Sequence, residues 1–132
     1  MKQFSLKKEE RLKSKKAINE LFLSSNSYGR STLRLLWRVE EIEDNEKSCK
    51  VLIAVPKRKI RKAVDRNRIK RMLKEIYRKN KASVNSFFDD KKSVCYLGIL
   101  FVGNSVPTFK SLNDNLQLLL EKLPSEYEKY SQ

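Results

Sequence analysis

Histidine is absent from all 132 residues. That removes the side chain best suited to moving protons near neutral pH, and imidazole ligation of metals with it. Glycine occurs only at Gly29, Gly98 and Gly103, too sparsely for a phosphate-cradling loop. No serine stands in a nucleophile-elbow setting. Cysteine is limited to Cys49 and Cys95. They have no Cys-x-x-Cys spacing and read as buried or half-buried thiols in a reducing cytoplasm. No apolar run approaches the roughly 20 residues that span a bilayer, and the N-terminal MKQFSLKKEE lacks the apolar core of a signal peptide. Acidic clusters occur only at Glu40-Glu41-Ile42-Glu43-Asp44-Asn45-Glu46 and at Asp89-Asp90. Both fall in expected loops, where carboxylates usually stay solvated instead of holding magnesium. The sequence therefore predicts no catalytic residues, no metal held by the protein, no small-molecule substrate and no membrane attachment.

Positive charge is plentiful. Lysine and arginine total 30 against 16 acids, a net of +14. Its distribution says more than its sum. Residues 50–81 hold 14 cations and two acids, and residues 1–39 are also basic, with a net of +7. Residues 40–49 come to −4 and residues 82–132 to −1. A one-signed patch of this kind points to a polyanion.

The length suits one domain, 1–132, with a single core. Residues 1–13 read as a mobile basic arm. Ser14 can cap a short helix from Lys15 to about Leu23, with Ile18, Leu21 and Phe22 at helical spacing. Ser24 to Gly29 is turn chemistry. From Ser31 to Val39 the period becomes two, predicting a strand whose second face carries Arg34, Leu36 and Arg38. After the acidic connection, Cys49 to Val55 should form a second strand, paired with the first as an antiparallel hairpin and ended by Pro56. Residues 79–92 lose periodicity and read as a loop from which Phe87 and Phe88 tuck back. Val94 to Val102 is the most apolar run, expected as a central strand. Thr108 can cap a last helix through Phe109, Leu112, Leu116, Leu119, Leu120 and Leu123, stopped by Pro124. Residues 125–132 then form a loose tail. The class is α+β: a small mixed sheet with helices on one face and the other left for a ligand.

The chain is organised around residues 66–79. At about 100° per residue, Ile69, Met72, Leu73, Ile76 and Tyr77 share one arc, while Arg66, Asn67, Lys70, Arg71, Lys74 and Arg78 fill the adjoining one. Solvated helix faces normally alternate charge sign at (i, i+4), yet Arg66–Lys70, Lys70–Lys74 and Lys74–Arg78 are all like-charge pairs. Repulsion of this kind is relieved by a bound polyanion, which makes the face a nucleic-acid-binding surface. Phe22 and Trp37 could add stacking walls to a single-strand groove beside Arg34 and Arg38. The residues alone leave open whether the two aromatics are core or groove.

The run Lys62-Ala63-Val64-Asp65-Arg66-Asn67-Arg68-Ile69-Lys70-Arg71 resembles the Arg-Asn-Arg signature of the bacterial ribonuclease P protein component. The likeness extends over roughly residues 7–123, through the short helix Lys16 to Phe22 and the Lys/Arg-rich lead-in. It implies the order αβββαβα with a β-α-β crossover of left-handed sense, opposite to the usual rule. It also implies a protein subunit without its own active site. The RNA subunit, using magnesium, would remove the 5′ leader of precursor tRNA. By this resemblance Arg58, Lys59, Lys62, Arg66, Asn67, Arg68, Lys70, Arg71, Lys74 and Arg78 would meet the catalytic RNA. The leader would lie in a cleft lined by Ile18, Phe22, Arg34, Arg38 and either Leu36 or Trp37. Ile18 stands where the family commonly has phenylalanine, Arg61 where it usually has glycine, and Pro56 where a small polar residue is more usual. A basic ribosomal or other structural RNA-binding protein is the alternative that the residues allow.

Overall fold

A computed structural model describes residues 10–24, 26–41, 49–90 and 93–130. The elements follow in the order α1 (Lys15–Ser24), β1 (Asn26–Arg30), β2 (Leu33–Glu41), β3 (Cys49–Ala54), α2 (Ala63–Asp90), β4 (Ser93–Phe101) and α3 (Phe109–Tyr130). Both expected caps are made. Ser14 Oγ accepts from the Ala17 amide at 3.2 Å, and Thr108 Oγ1 accepts from the Ser111 amide at 3.1 Å. Each satisfies one of the donors that a helix start leaves unpaired.

The four strands lie in the order β1-β2-β4-β3. β4 is central, as its apolar run implies. The expected hairpin between β2 and β3 is not formed. β2 pairs antiparallel with β4, and β3 pairs parallel with β4 from the other side. A parallel pair needs a long crossover, and α2 supplies it. The hairpin partner of β2 is instead β1, formed where turn residues were expected. Its one half-buried side chain is Tyr28, whose hydroxyl donates to the Leu119 carbonyl. Ser31, at φ 56°, makes the tight turn between the two strands.

Strand alternation divides the sheet into two faces. The inner face carries Leu33, Leu35, Trp37, Cys49, Val51, Cys95, Leu97, Ile99 and Phe101, all buried under α2 and α3. On its parallel register Cys49 lies opposite Cys95. Tyr77 donates to Cys49 Sγ at 3.2 Å, and burial pushes the Cys95 thiol and the Tyr77 phenol well above their ordinary pKa. The outer face carries Arg34, Leu36 and Arg38 from β2, Tyr96, Gly98 and Leu100 from β4, and Lys50, Leu52 and Ala54 from β3.

This outer face is not left bare, because α1 packs across β2 and β4. Leu21 is fully buried there. A Cβ on Gly98 would meet Leu21 Cδ2 at 3.0 Å and Leu36 Cβ at 3.4 Å, so the glycine lets α1 sit close to the strand.

Three further expectations change. The basic helix does not fray after Lys79 but runs to Asp90. Val84 and Phe88 continue its buried stripe, and Asn80 Nδ2 donates back to the Ile76 carbonyl at 2.8 Å. Pro124 does not end α3, which continues to Tyr130. Beyond the proline, Tyr127 packs against Trp37, Phe87 and Phe88 with ring centroids at 6.0, 5.7 and 5.4 Å. That packing offsets the roughly 3 kcal/mol that an internal proline costs. The basic arm is docked at its far end. Leu12 is buried, its amide donates to the Val51 carbonyl at 3.0 Å, and buried Glu10 pairs with Lys81. The rest of the arm, residues 1–9, lies outside the described residues, as does most of the acidic run.

Candidate nucleic-acid interface

The faces of α2 separate as the periodicity predicts. Ile69, Leu73, Ile76 and Tyr77 are fully buried, with Met72 packed at their margin. Asn67, Arg68 and Arg71 are exposed, and Lys70, Lys74 and Arg78 are half-buried, presenting cations beside the apolar stripe. Half-burial is what long basic side chains show when their stems lie along apolar surface and their heads stay in water.

On α2, the predicted cations Arg66 and Arg78 have partners within the chain. The Arg66 guanidinium donates from Nη1 to the carbonyls of Ile60 at 2.9 Å and Arg61 at 2.7 Å. Arg66 therefore shapes the lead-in from inside. Arg78 pairs with Glu75, a carboxylate only 5% exposed. The lead-in itself turns at Pro56, whose carbonyl accepts from the amides of Lys59 at 3.1 Å and Ile60 at 3.2 Å. Ile60 plugs into the core, which turns Arg58 outward and leaves Lys59 half-buried. Lys62 is exposed, and its carbonyl accepts from the Arg66 amide at 3.1 Å, the first turn of α2.

The second surface is the outer face of the sheet, which α1 divides into two flanks. On one flank Glu20 reaches Arg38, whose Nε also lies 3.5 Å from Glu40. A groove of about 310 Å³ opens there, lined by Ser14, Lys16, Ala17, Glu20, Arg38, Glu40 and Tyr96. Phe22 is two positions beyond Glu20, roughly 200° further round the helix, and so projects from the opposite flank. It is 47% exposed although its neighbour Leu21 is fully buried. Half-buried Ile18 belongs to the same side. Arg34 lies on the outer row beyond Leu36, and its Nη2 donates to Ser27 Oγ at 3.0 Å.

The structure thus puts Arg34, Leu36 and Arg38 on the sheet face that α1 crosses, with Ile18 and Phe22 on the flank of α1 turned away from the Arg38 groove. Of the two candidate strand residues, Leu36 faces α1. Trp37 is a correction: it is 3% exposed and tilted at 57° on Tyr127, inside the core. Alternation forces this, because Trp37 shares its face with Leu33 and Leu35. Sequence reasoning missed Glu20, Lys16 and Tyr96 in the Arg38 groove. Tyr96 was legible in principle, since alternation along β4 puts it opposite Cys95 and Leu97.

Among the described residues no three His, Cys, Asp or Glu side chains are grouped to hold a metal ion. No helix among them is long and apolar enough to cross a membrane.

A four-stranded α+β frame that turns one long cationic helix face outward defines a basic nucleic-acid-binding protein. Comparison with known proteins makes the class specific, since the family model described as Ribonuclease P matches residues 6–123. The chain belongs to that family: it is the protein subunit of ribonuclease P, an RNA-binding part of a ribonucleoprotein endoribonuclease that matures the 5′ end of tRNA. It is 29% identical over 120 residues to the ribonuclease P protein component of Porphyromonas gingivalis, covering 91% of this chain and 87% of that one. Against the component of Chlorobium phaeobacteroides it is 29% identical over 128 residues, covering 90% and 88%. The fold is shared with the ribonuclease P protein of Thermotoga maritima, at a TM-score of 0.66 and 20% identity over 86% of this chain and 97% of that one. It is shared equally with the Staphylococcus aureus protein, at 0.66 and 16% over 85% and 93%.

Proposed function

We propose that the cations of α2 and its lead-in dock on the catalytic RNA, and that the Phe22 flank of α1 receives the 5′ leader of precursor tRNA. Arg58, Lys62, Asn67, Arg68, Lys70, Arg71 and Lys74 form the docking face. Arg68 and Arg71 offer planar forks that suit phosphate oxygens. Ile18, Phe22, Arg34 and Leu36 form the leader surface. Cleavage in this reading belongs to the RNA subunit and its magnesium, with the protein holding the two RNAs in register in the cytoplasm.

The observation that carries the leader assignment is Phe22. A helix that buries Leu21 completely leaves the next aromatic ring half in water, on the same sheet face as Arg34. Unpaired bases stack on such rings, and cations beside them meet the backbone. Phe22→Leu removes the ring and little core volume. It should weaken binding of the reconstituted holoenzyme to precursor tRNA by about 1–3 kcal/mol and leave mature tRNA unchanged, because mature tRNA has no leader to place. An equal loss for both substrates would refute the leader assignment.

A further inference from the structure

Arg34 and Arg38 stand four residues apart on one strand and one face, yet their surroundings differ in kind. Arg34 is exposed and donates to the neutral Ser27 hydroxyl at 3.0 Å. Arg38 lies between two carboxylates, paired through Nη1 with Glu20 and with Nε 3.5 Å from Glu40. The Arg38 and Glu20 side chains are 33% and 31% exposed, so water screens this pair less than a surface pair. The groove around them holds two cations, Lys16 and Arg38, and two acids, Glu20 and Glu40, and is formally neutral.

We propose that Glu20, backed by Glu40, is a specificity-determining residue that closes this flank of α1 to RNA and leaves the Phe22 flank as the entry for a single strand. The proposal rests on the leader assignment for the Phe22 flank. A carboxylate occupies a guanidinium fork much as a phosphate does, through charge-assisted hydrogen bonds. A phosphate could reach Arg38 only by displacing Glu20, and the displaced carboxylate would remain close enough to repel it. A strand approaching α1 thus meets an open cation on one side and a satisfied one on the other. The same pair ties α1 to β2, so the residue that closes one flank also seats the helix that presents Phe22.

Binding of a short, unstructured single-stranded RNA by the free chain, measured across a salt series, tests this. Arg38→Gln keeps an amide donor for Glu20 and so keeps α1 seated; it should leave both affinity and salt slope unchanged, because the Arg38 fork is already filled. Glu20→Gln keeps an acceptor for Arg38 and so keeps α1 seated, but frees a cation. Affinity should rise about three- to tenfold, and the log–log salt slope should steepen by about 0.7, as one more phosphate contact on a single strand requires. Combining Glu20→Gln with Arg38→Gln should abolish the gain. Glu40→Gln, at the longer contact, should give a smaller change of the same sign, and it decides the matter should Glu20→Gln lose helix content. A weakened Arg38→Gln single variant would overturn the proposal, as would a Glu20→Gln gain that survives without Arg38 or no gain from either glutamate. The leader assignment fails separately. If Phe22→Leu spares the preference for precursor over mature tRNA while the glutamate variants behave as stated, the flank is closed but the leader lies elsewhere.

Discussion

The two faces of the sheet are built from alternate residues of the same strands, and they end in opposite states. The inner face is sealed by apolar side chains from α2 and α3, with its rings interlocked around Tyr127. The outer face meets a single short helix and keeps arginines, a tyrosine and half-buried aliphatics at its surface. One face determines whether the chain folds, and the other is free to select what it binds. α2 repeats the division, with a buried stripe next to a band of cations.

That division is broken most severely from the inside. Phe88 is fully buried and meets Tyr127 edge-on at 83°. Phe88→Ala should lower stability by about 3–5 kcal/mol, read from the shift of the urea midpoint. Whatever fraction stays folded should bind RNA normally. A variant with normal stability and defective RNA binding would mean that the faces are not independent.

Phe88 also shows where the sequence was readable and where it was not. The first half of α2 declares itself, because Ile69, Leu73, Ile76 and Tyr77 keep strict spacing. The second half has Asn80 where the stripe should continue, and its polar neighbours hide the link from Ile76 through Val84 to Phe88. Asn80 fits because its amide bonds to the helix's own Ile76 carbonyl, a local solution that periodicity does not report. Pro124 misled for a related reason. A proline predicts a helix end from local sterics, and the ring cluster that overrides it joins residues far apart in the chain. The Arg-Asn-Arg helix, both caps and the central position of β4 were legible because each depends on neighbours in sequence. The parallel pairing of β3, the burial of Trp37 and the pairing of Arg38 with Glu20 depend on which strand lies beside which.

The next largest effect belongs to the cationic band. Arg68→Ala and Arg71→Ala remove exposed forks and almost no buried surface. Each should weaken assembly with the catalytic RNA by about 1–3 kcal/mol and flatten the salt slope by about one phosphate contact. The thermal midpoint should not move. Ile69→Ala, one position from Arg68 but fully buried, should do the reverse. If the arginine variants melt early and the isoleucine variant does not, the two faces of α2 have been assigned the wrong way round.

Arg66 sharpens the comparison because it belongs to the signature but serves the inside. Its two bonds to the Ile60 and Arg61 carbonyls hold the lead-in against α2. Arg66→Ala should therefore lower stability by about 1–2 kcal/mol, which Arg68→Ala should not, and weaken RNA assembly as well. Lysine at this position keeps the charge, but its side chain ends one atom short of Nη1, the nitrogen that donates to both carbonyls. Arg66→Lys should leave both the midpoint and RNA assembly short of the parent. Full recovery of both would mean that Arg66 acts by charge alone.

The smallest effect tests whether charge acts by amount or by position. Lys122 is exposed on α3, between buried Leu119 and Leu123, in a part of the chain whose net charge is close to zero. Lys122→Glu takes the chain from +14 to +12, a larger change in total charge than Arg68→Ala makes. If RNA responded to the total, Lys122→Glu would be the more damaging of the two. At physiological ionic strength, exposed charges further apart than about 8 Å are largely screened, and only cations that touch phosphate release counterions. Lys122→Glu should then leave both the affinity for the catalytic RNA and the salt slope within error of the parent, while Arg68→Ala changes both. A loss matching that of Arg68→Ala would show that α3 also touches the RNA, and would extend the interface beyond the α2 band and its lead-in.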